Sequence, residues 1–323
     1  MMFDYEDMNL IPKKCIVNSR SECDTRVTLG NFTFNLPVVP ANMECVMNET
    51  LAKTLATNNY FYIMHRFNVN IVEFCKSMDQ DDLYTSISIG VNDDSYEDLR
   101  KLKSANIIPD FITIDIAHGH SIKMESMIKF IKSLFNESCP YIIAGNVSTP
   151  EAVLDLENWG ANAVKVGIGP GSACTTYNAT GFGSRGAQAS IVEKCASVCL
   201  NGNTVIIADG GISHPGDIAK SLALGANMVM IGGMFSGLSD SPGNVVQGSD
   251  GLLYKEFWGS ASAHQSNKKN RIEGTKKLIP LKTITVLEEL KYLEECLQSS
   301  ISYGGGKDLE CLKNVDYFLK KNY

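Results

Sequence analysis

The sequence predicts an α/β fold, a (β/α)8 TIM barrel in one domain spanning residues 1–323, with a long lid or flap segment after the eighth strand. Three observations carry this expectation. Short runs rich in Val and Ile recur eight times, each followed by a stretch of helical character, the pattern of βα units around a parallel sheet. Polar and glycine residues follow the runs, where parallel α/β folds keep their active sites. These glycine motifs recur around the whole set rather than after the first run alone, which favours a closed barrel over an open doubly wound sheet.

Residues 1–35 form an N-terminal segment ahead of the first run. The runs are Leu36–Pro40, Tyr60–Met64, Tyr84–Val91, Phe111–Ala117, Tyr141–Ala144, Ala163–Val166, Thr204–Ala208 and Met228–Ile231. After them come Ala41-Asn42, His65-Arg66, His118-Gly119-His120, Gly145-Asn146, Gly167-Ile168-Gly169, Asp209-Gly210-Gly211 and Gly232-Gly233. Between strands, Ser148-Thr149-Pro150-Glu151 opens a helix with a capping residue followed by proline at the first helical position. His214-Pro215-Gly216-Asp217 punctuates the start of another. From about residue 239 to 280 the chain is polar and weakly periodic, and a connection of that length is either disordered or a functional lid. Its apolar stretch Leu252–Trp258, leading into Gly259-Ser260-Ala261-Ser262, predicts a lid that partly orders. Residues 281–323 form a C-terminal helix and tail. Within them Leu287, Leu290, Leu293 and Leu297 give Thr285–Gln298 the spacing of an amphipathic helix.

Composition narrows the function. The chain has 323 residues, 44% hydrophobic and 20% charged, and a formal charge of -7 with no long basic run. Nucleic acid is therefore not expected as a partner, because phosphate neutralisation needs clustered Lys and Arg. A small anionic ligand remains open, since a few local donors outweigh a global charge. The opening Met1-Met2-Phe3-Asp4-Tyr5-Glu6-Asp7 lacks the basic and apolar regions of a secretory signal. No apolar run approaches the ~20 residues of a membrane span. Ten cysteines without a CxxC pair suggest reduced thiols, hence a cytoplasmic protein. Cys195 and Cys199, four apart on an expected helix, and His118 with His120, two apart, are the weak metal candidates. Each pair lacks further ligands at metal spacing.

Two late loops point to phosphate. Asp209-Gly210-Gly211 follows the seventh run and Gly232-Gly233 the eighth, where barrel proteins bind phosphate on backbone N–H groups. Taken alone, such glycines could simply turn the chain. Asp209 itself would repel phosphate and is better suited to accept from ribose hydroxyls. Beside these loops lies Gly167-Ile168-Gly169-Pro170-Gly171-Ser172-Ala173-Cys174-Thr175-Thr176. A cysteine amid Gly, Ser and Thr has little apolar core to fill, so Cys174 is the candidate nucleophile. The other nine are expected to serve as small hydrophobes.

These segments resemble the IMP dehydrogenase and GMP reductase family along nearly the whole chain. Phe3–Asp7 and Asn18-Ser19-Arg20-Ser21-Glu22 look like the family's N-terminal strand and cofactor-contact segment. Leu36–Met43 resembles its first barrel strand. The Cys174 loop, Asp209-Gly210-Gly211-Ile212 and Gly259-Ser260-Ala261-Ser262 resemble its thiol, ribose-phosphate and lid motifs. Three features resemble the reductase branch. No gap between runs has room for the dehydrogenases' two-module insert, and no Arg is followed by Tyr, the pair with which dehydrogenases activate water. Arg271-Ile272-Glu273-Gly274 and Ile301–Gly305 resemble reductase tails of the bacterial type. Two departures stand out: Tyr177 in place of Lys or Arg, and Ser184-Arg185-Gly186-Ala187 after Thr180-Gly181.

The resemblance implies NADPH-dependent reductive deamination of GMP to IMP with release of ammonia, through a Cys174 thioimidate, in purine salvage. It implies Cys174, Thr176 and Glu273 as catalytic residues. Ser172, Asp209, Gly210, Gly211, Gly232, Gly233, Gly259 and Ser260 would bind the nucleotide. Asp115, Ile116, Ala117, His65 and Arg66 would meet the cofactor, with Ser19 and Arg20 of a neighbouring subunit, in a homotetramer. Carbonyls of Gly169, Gly171 and Cys174 would hold a monovalent cation such as K+. Three alternatives stay open from sequence: a dehydrogenase core without its insert, a flavin-phosphate barrel oxidoreductase, and a catalytically silent nucleotide-binding protein.

Overall fold

The computed structural model describes residues 2–199, 204–262, 265 and 273–320. Its centre is a parallel sheet of seven strands: Val38–Pro40, Ser86–Ile89, Phe111–Asp115, Tyr141–Val147, Ala163–Val166, Val205–Asp209 and Met228–Ile231. From Ser86–Ile89 onward each strand pairs with the next in sequence, and the last, Met228–Ile231, pairs with the first, Val38–Pro40. That wrap-around order makes the sheet a curled α/β structure of the TIM-barrel type. Helices such as Ile71–Gln80, Ile122–Phe135, Pro150–Trp159 and Pro215–Ala223 fall between the strands. Strands such as Val38–Pro40 and Met228–Ile231 are buried throughout, which is why they read as unbroken apolar runs rather than alternating ones.

The sequence expectation of eight strands needs one correction. Tyr60–Met64 forms no strand; its ladder contact is a single parallel bridge from Met64 to Ile87. Tyrosine hydroxyls occupy the backbone groups that a ladder would use. Tyr62 N–H donates to Tyr84 Oη at 3.2 Å, and Tyr62 Oη donates to the Tyr84 carbonyl at 3.0 Å. Ser86 N–H in turn donates to Tyr62 Oη at 3.1 Å. Periodicity along the chain cannot show side chains substituting for a strand partner.

The N-terminal segment closes the end of the sheet where its strands begin. Val27–Leu29 and Phe32–Phe34 form a hairpin whose loop needs a positive φ at Gly30. Leu29 and Phe34 are buried against Phe61, Phe111, Ala163 and Met228. Phe34 and Phe111 each hold Phe61 at a ring-centroid distance of 5.0 Å. Ligands are thereby left the other end, where the strands finish.

The expected lid segment contains a three-stranded antiparallel sheet, Val245–Gln247, Leu253–Trp258 and Lys276–Pro280. Phe257 and Trp258 on the central strand are buried, the apolar signal that the sequence carried at Leu252–Trp258. The C-terminal helix is Val286–Tyr303, five residues longer at its end than the sequence pattern suggested. Thr285 caps it reciprocally with Glu288, and Leu290, Leu293, Leu297 and Ile301 line its buried face. Leu287 is only partly buried at the edge of that face. Met8–Leu10 pairs antiparallel with Tyr317–Leu319, tying the two ends of the chain together. No helix among the described residues is long and apolar enough to cross a membrane.

Candidate active site at the strand carboxyl ends

A cavity of about 750 Å3 opens where the parallel strands end. That is within the size range of small-molecule sites, roughly 300–1,000 Å3. Its wall includes the Gly167–Thr176 loop, the Asp209-Gly210-Gly211 turn, Gly232-Gly233, Gly259-Ser260 and Glu273. Every nucleotide-binding candidate named from sequence lines it: Ser172, Asp209, Gly210, Gly211, Gly232, Gly233, Gly259 and Ser260. Gly210 and Gly211 both have positive φ, near 86° and 81°. At Gly210 a Cβ would also lie 3.1 Å from the Gly171 backbone nitrogen, a tight contact added to a backbone conformation that favours glycine.

The thiol stands at the rim, aligned with a hydroxyl and a carboxylate. Cys174 Sγ lies 3.2 Å from Thr176 Oγ1, and Thr176 Oγ1 donates to Glu273 Oε2 at 2.7 Å. Two strips of backbone hold this line together across a long stretch of sequence. Thr175 N–H donates to the Glu273 carbonyl and Thr275 N–H to the Ala173 carbonyl, both at 2.9 Å. Between them Cys174 and Gly274 form an antiparallel bridge. At Gly274 an added Cβ would lie 2.8 Å from Ser262 N, so the bridge there requires glycine. Arg271 and Ile272, next to Glu273, lie outside the described residues.

The floor is charged and buried. Lys165 Nζ donates to Asp115 Oδ1 at 2.7 Å and to Asp209 Oδ2 at 3.0 Å, and Lys165 is only 2% exposed. Asn146 Nδ2 donates to Asp209 Oδ2 at 2.8 Å and to the Gly167 carbonyl at 2.7 Å. Burial works against the Lys165 ammonium, but the two carboxylates outweigh it and raise its pKa above the ordinary value. Burial likewise opposes the Asp115 carboxylate, yet Lys165 and then Arg66 hold its pKa below the usual range. Sequence reading had not singled out Lys165. The signal was present as a charged residue inside the apolar run Ala163–Val166.

The other candidates divide. Asp115, Ile116, Ala117 and Arg66 line the cavity, as do Gly169 and Gly171. His65 does not; it is buried nearby, with its Nδ1 accepting from Phe67 N–H at 3.2 Å. Burial lowers the His65 pKa. Ser19 and Arg20 also lie away from this cavity. Ser19 caps the short turn Arg20–Glu22, and Arg20 lines a second hollow of about 770 Å3 with Lys220, Tyr292 and Tyr303. Tyr177 is half exposed in the first turn of Thr176–Thr180. The atypical Ser184–Ala187 loop is anchored by Ser184 N–H on the Ile168 carbonyl at 2.7 Å.

Among the described residues no group of three His, Cys, Asp or Glu could hold a metal ion. His120 Nε2 is 2.8 Å from Asp155 Oδ2, and Cys199 Sγ donates to the Cys195 carbonyl at 3.7 Å. All ten cysteines are free.

A curled parallel sheet with a thiol, a hydroxyl and a carboxylate aligned over glycine-rich late loops defines a protein of the TIM-barrel type with a small-molecule-sized cavity at its strand ends. Residues 2–322 match the IMP dehydrogenase / GMP reductase domain, and the chain belongs to that family. Similar proteins include the GMP reductase of Oceanobacillus iheyensis, 52% identical over 99% of this chain and 96% of its own length. The GMP reductase of Mycoplasma mycoides subsp. mycoides is 50% identical over 100% and 99%. That of Bacillus subtilis is 52% identical over 99% and 97%.

Proposed function

We propose that this chain is a GMP reductase, an oxidoreductase that converts GMP to IMP and ammonia with NADPH as reductant. One observation carries the reading: the unbroken line Cys174–Thr176–Glu273 at the rim of a glycine-lined cavity. The name shared by relatives about half identical to it points the same way.

In this reading the phosphate rests on the backbone of Ser172, Gly211 and Gly232-Gly233, with Gly210 admitting the close approach. Asp209 accepts from the ribose, and Gly259 and Ser260, at the root of the lid, close over the base. The Cys174 thiolate attacks the purine carbon that bears the amino group. Thr176 and Glu273 pass a proton to that nitrogen, which leaves as ammonia, and the sulfur stays bonded to the ring as a thioimidate. Relays of this kind contribute about 10²–10⁴-fold in rate. NADPH, when bound beside the nucleotide, would supply the hydride that this carbon takes up. The carbon–sulfur bond then breaks, the electron pair returns to Cys174, and IMP is released. Water must stay out, because hydrolysis of the thioimidate would give XMP, and the chain has no Arg-Tyr pair to activate it.

The cavity supports room for the reductant beside the nucleotide, since it continues from the thiol to Asp115, Ile116, Ala117 and Arg66, with His65 behind them. The adenine end is assigned to Ser19 and Arg20 of a neighbouring subunit, which fits their place outside this chain's own cavity and implies a homotetramer. The carbonyls of Gly169, Gly171 and Cys174 offer uncharged oxygen donors of the kind that suit K+. The Gly171 carbonyl also accepts from Cys174 N–H at 3.0 Å, so a cation there would brace the thiol loop. The activity belongs to purine nucleotide interconversion and salvage, and ten unpaired thiols support a cytoplasmic location.

The test is consumption of NADPH on adding GMP, with IMP and ammonia formed in equal amounts. NADH production from IMP and NAD would instead identify a dehydrogenase. Tight GMP binding without turnover would identify a silent binding protein, and a bound flavin chromophore would identify a flavin enzyme.

A further inference from the structure

Neither the relay nor the phosphate cradle uses the buried ammonium in the floor. Lys165 is the third residue of the Ala163–Val166 strand, and its register brings it beside Gly145 on one side and Ile207 on the other. Gly145 is what lets it pass: a Cβ there would lie 2.6 Å from Lys165 Cβ. The Lys165 contact on Asp115 falls on Oδ1, and both donors to Asp209, Lys165 and Asn146, fall on Oδ2. Each carboxylate is thus pinned by one oxygen while its residue faces the cavity. The remaining neighbours are Arg66 and Asn42 beside Asp115, and Met230 Sδ at 3.9 Å from Lys165 Nζ.

We propose that Lys165 is a positioning residue for the reductive deamination: one ammonium fixes the carboxylate that meets the ribose, Asp209, and the carboxylate on the reductant side, Asp115. The proposal rests on the GMP reductase reading. Its physical content is that the two halves of the cavity are set by a single charge. Without that charge two carboxylates would face each other with only Arg66 to offset them, and one would take up a proton in the neutral range. A protonated carboxyl donates where an acceptor is needed, and the ligand held there would shift.

The experiment compares wild type, Lys165→Met and Lys165→Arg, measuring kcat and KM for GMP and NADPH across pH, with GMP binding followed by calorimetry. Lys165→Met is expected to lose about 10²-fold in kcat/KM near neutral pH, the scale of a misplacement of about 1 Å. Its activity should also fall away at a higher pH on the acid side than wild type. Lys165→Arg is expected to keep the wild-type acid limb while recovering only part of kcat. A Lys165→Met enzyme that is less stable but has unchanged kcat, KM and pH profile would overturn the proposal, leaving the lysine purely structural. Should Lys165→Met fail to fold, Lys165→Gln decides in its place: wild-type kcat, KM and acid limb in that uncharged variant would overturn it. Failure of the underlying reading looks different, because wild type itself would then not oxidise NADPH with GMP.

Discussion

The cavity has two polar constellations built on opposite plans. The rim, Cys174–Thr176–Glu273, joins a loop to the root of the lid and leaves Cys174 and Glu273 partly open to solvent on either side of the buried Thr176. The floor, Asp115–Lys165–Asp209, sits on three strands of one sheet and buries its central charge almost completely. In the proposed reaction, the groups that change protonation and bond to substrate are on segments joined by a few backbone contacts. Groups that must stay fixed are on strands whose register places them. The difference teaches that removing a rim residue should cost rate with little stability, whereas removing the floor cation should cost both.

The largest expected effect is at the sulfur. Cys174→Ala should abolish turnover while GMP binding, measured by calorimetry, stays within a few-fold, because the cradle of Ser172, Gly211 and Gly232-Gly233 does not depend on the thiol. Turnover near the wild-type level in that variant would falsify nucleophilic catalysis by Cys174. Next come Thr176→Ala and Glu273→Gln, each expected to slow ammonia release by about 10²–10⁴-fold. Unfolding in urea should register Glu273→Gln at about 0.5 kcal/mol or less, as for a substitution that empties no core and strands no buried charge.

How much of this was legible in the sequence follows the same division. The thiol loop announced itself, because a cysteine flanked by Gly, Ser and Thr has no packing role. Asp209-Gly210-Gly211 did so because its glycines follow an apolar run. Glu273 came from family resemblance, since nothing local links it to a cysteine 99 residues away. Lys165 stayed hidden because it occupies a run that otherwise reads as strand core. Only the registers with Tyr141–Val147 and Val205–Asp209 reveal the carboxylates it meets. The second run, Tyr60–Met64, failed as a strand for a related reason: Tyr62 and Tyr84 side chains replace its ladder partners, which one-dimensional patterning does not encode.

The floor makes a stability prediction of its own. Removing one partner of a buried ion pair typically costs about 3–5 kcal/mol, so Lys165→Met should lower the urea midpoint far more than Glu273→Gln. The sign of the pH dependence follows from the two shifts. Asp115 is held below its ordinary pKa, so its contribution is present above about pH 4 and is lost as pH falls through the lowered value. Lys165 is raised, so its contribution is present below about pH 10 and is lost as pH rises through the raised value. The margin by which wild type exceeds Lys165→Met in unfolding free energy should widen from about pH 4 towards neutrality, as the carboxylate left unpaired in the variant gives up its proton, and then stay level up to about pH 10. A margin that vanished at pH 7 would mean the ammonium is not bound by its carboxylates.

The smallest effect should come from a third ion pair, His120 with Asp155, whose side chains are 29% and 42% exposed. It resembles the floor in chemistry and differs in solvation: water screens both partners, so the pair contributes about 0–1 kcal/mol. His120→Ala should therefore shift the urea midpoint only slightly and leave NADPH oxidation unchanged, since His120 touches neither rim nor floor. Treatment with a divalent-metal chelator should be equally silent. The His118-Gly119-His120 sequence has the spacing of a ligand pair, but in the fold the ring of His120 is already committed to Asp155 and lies beside Trp159 at a centroid distance of 6.0 Å. Loss of activity on chelation, restored by adding zinc, would show that the histidines serve a metal and would move them from the surface into the working part of the molecule.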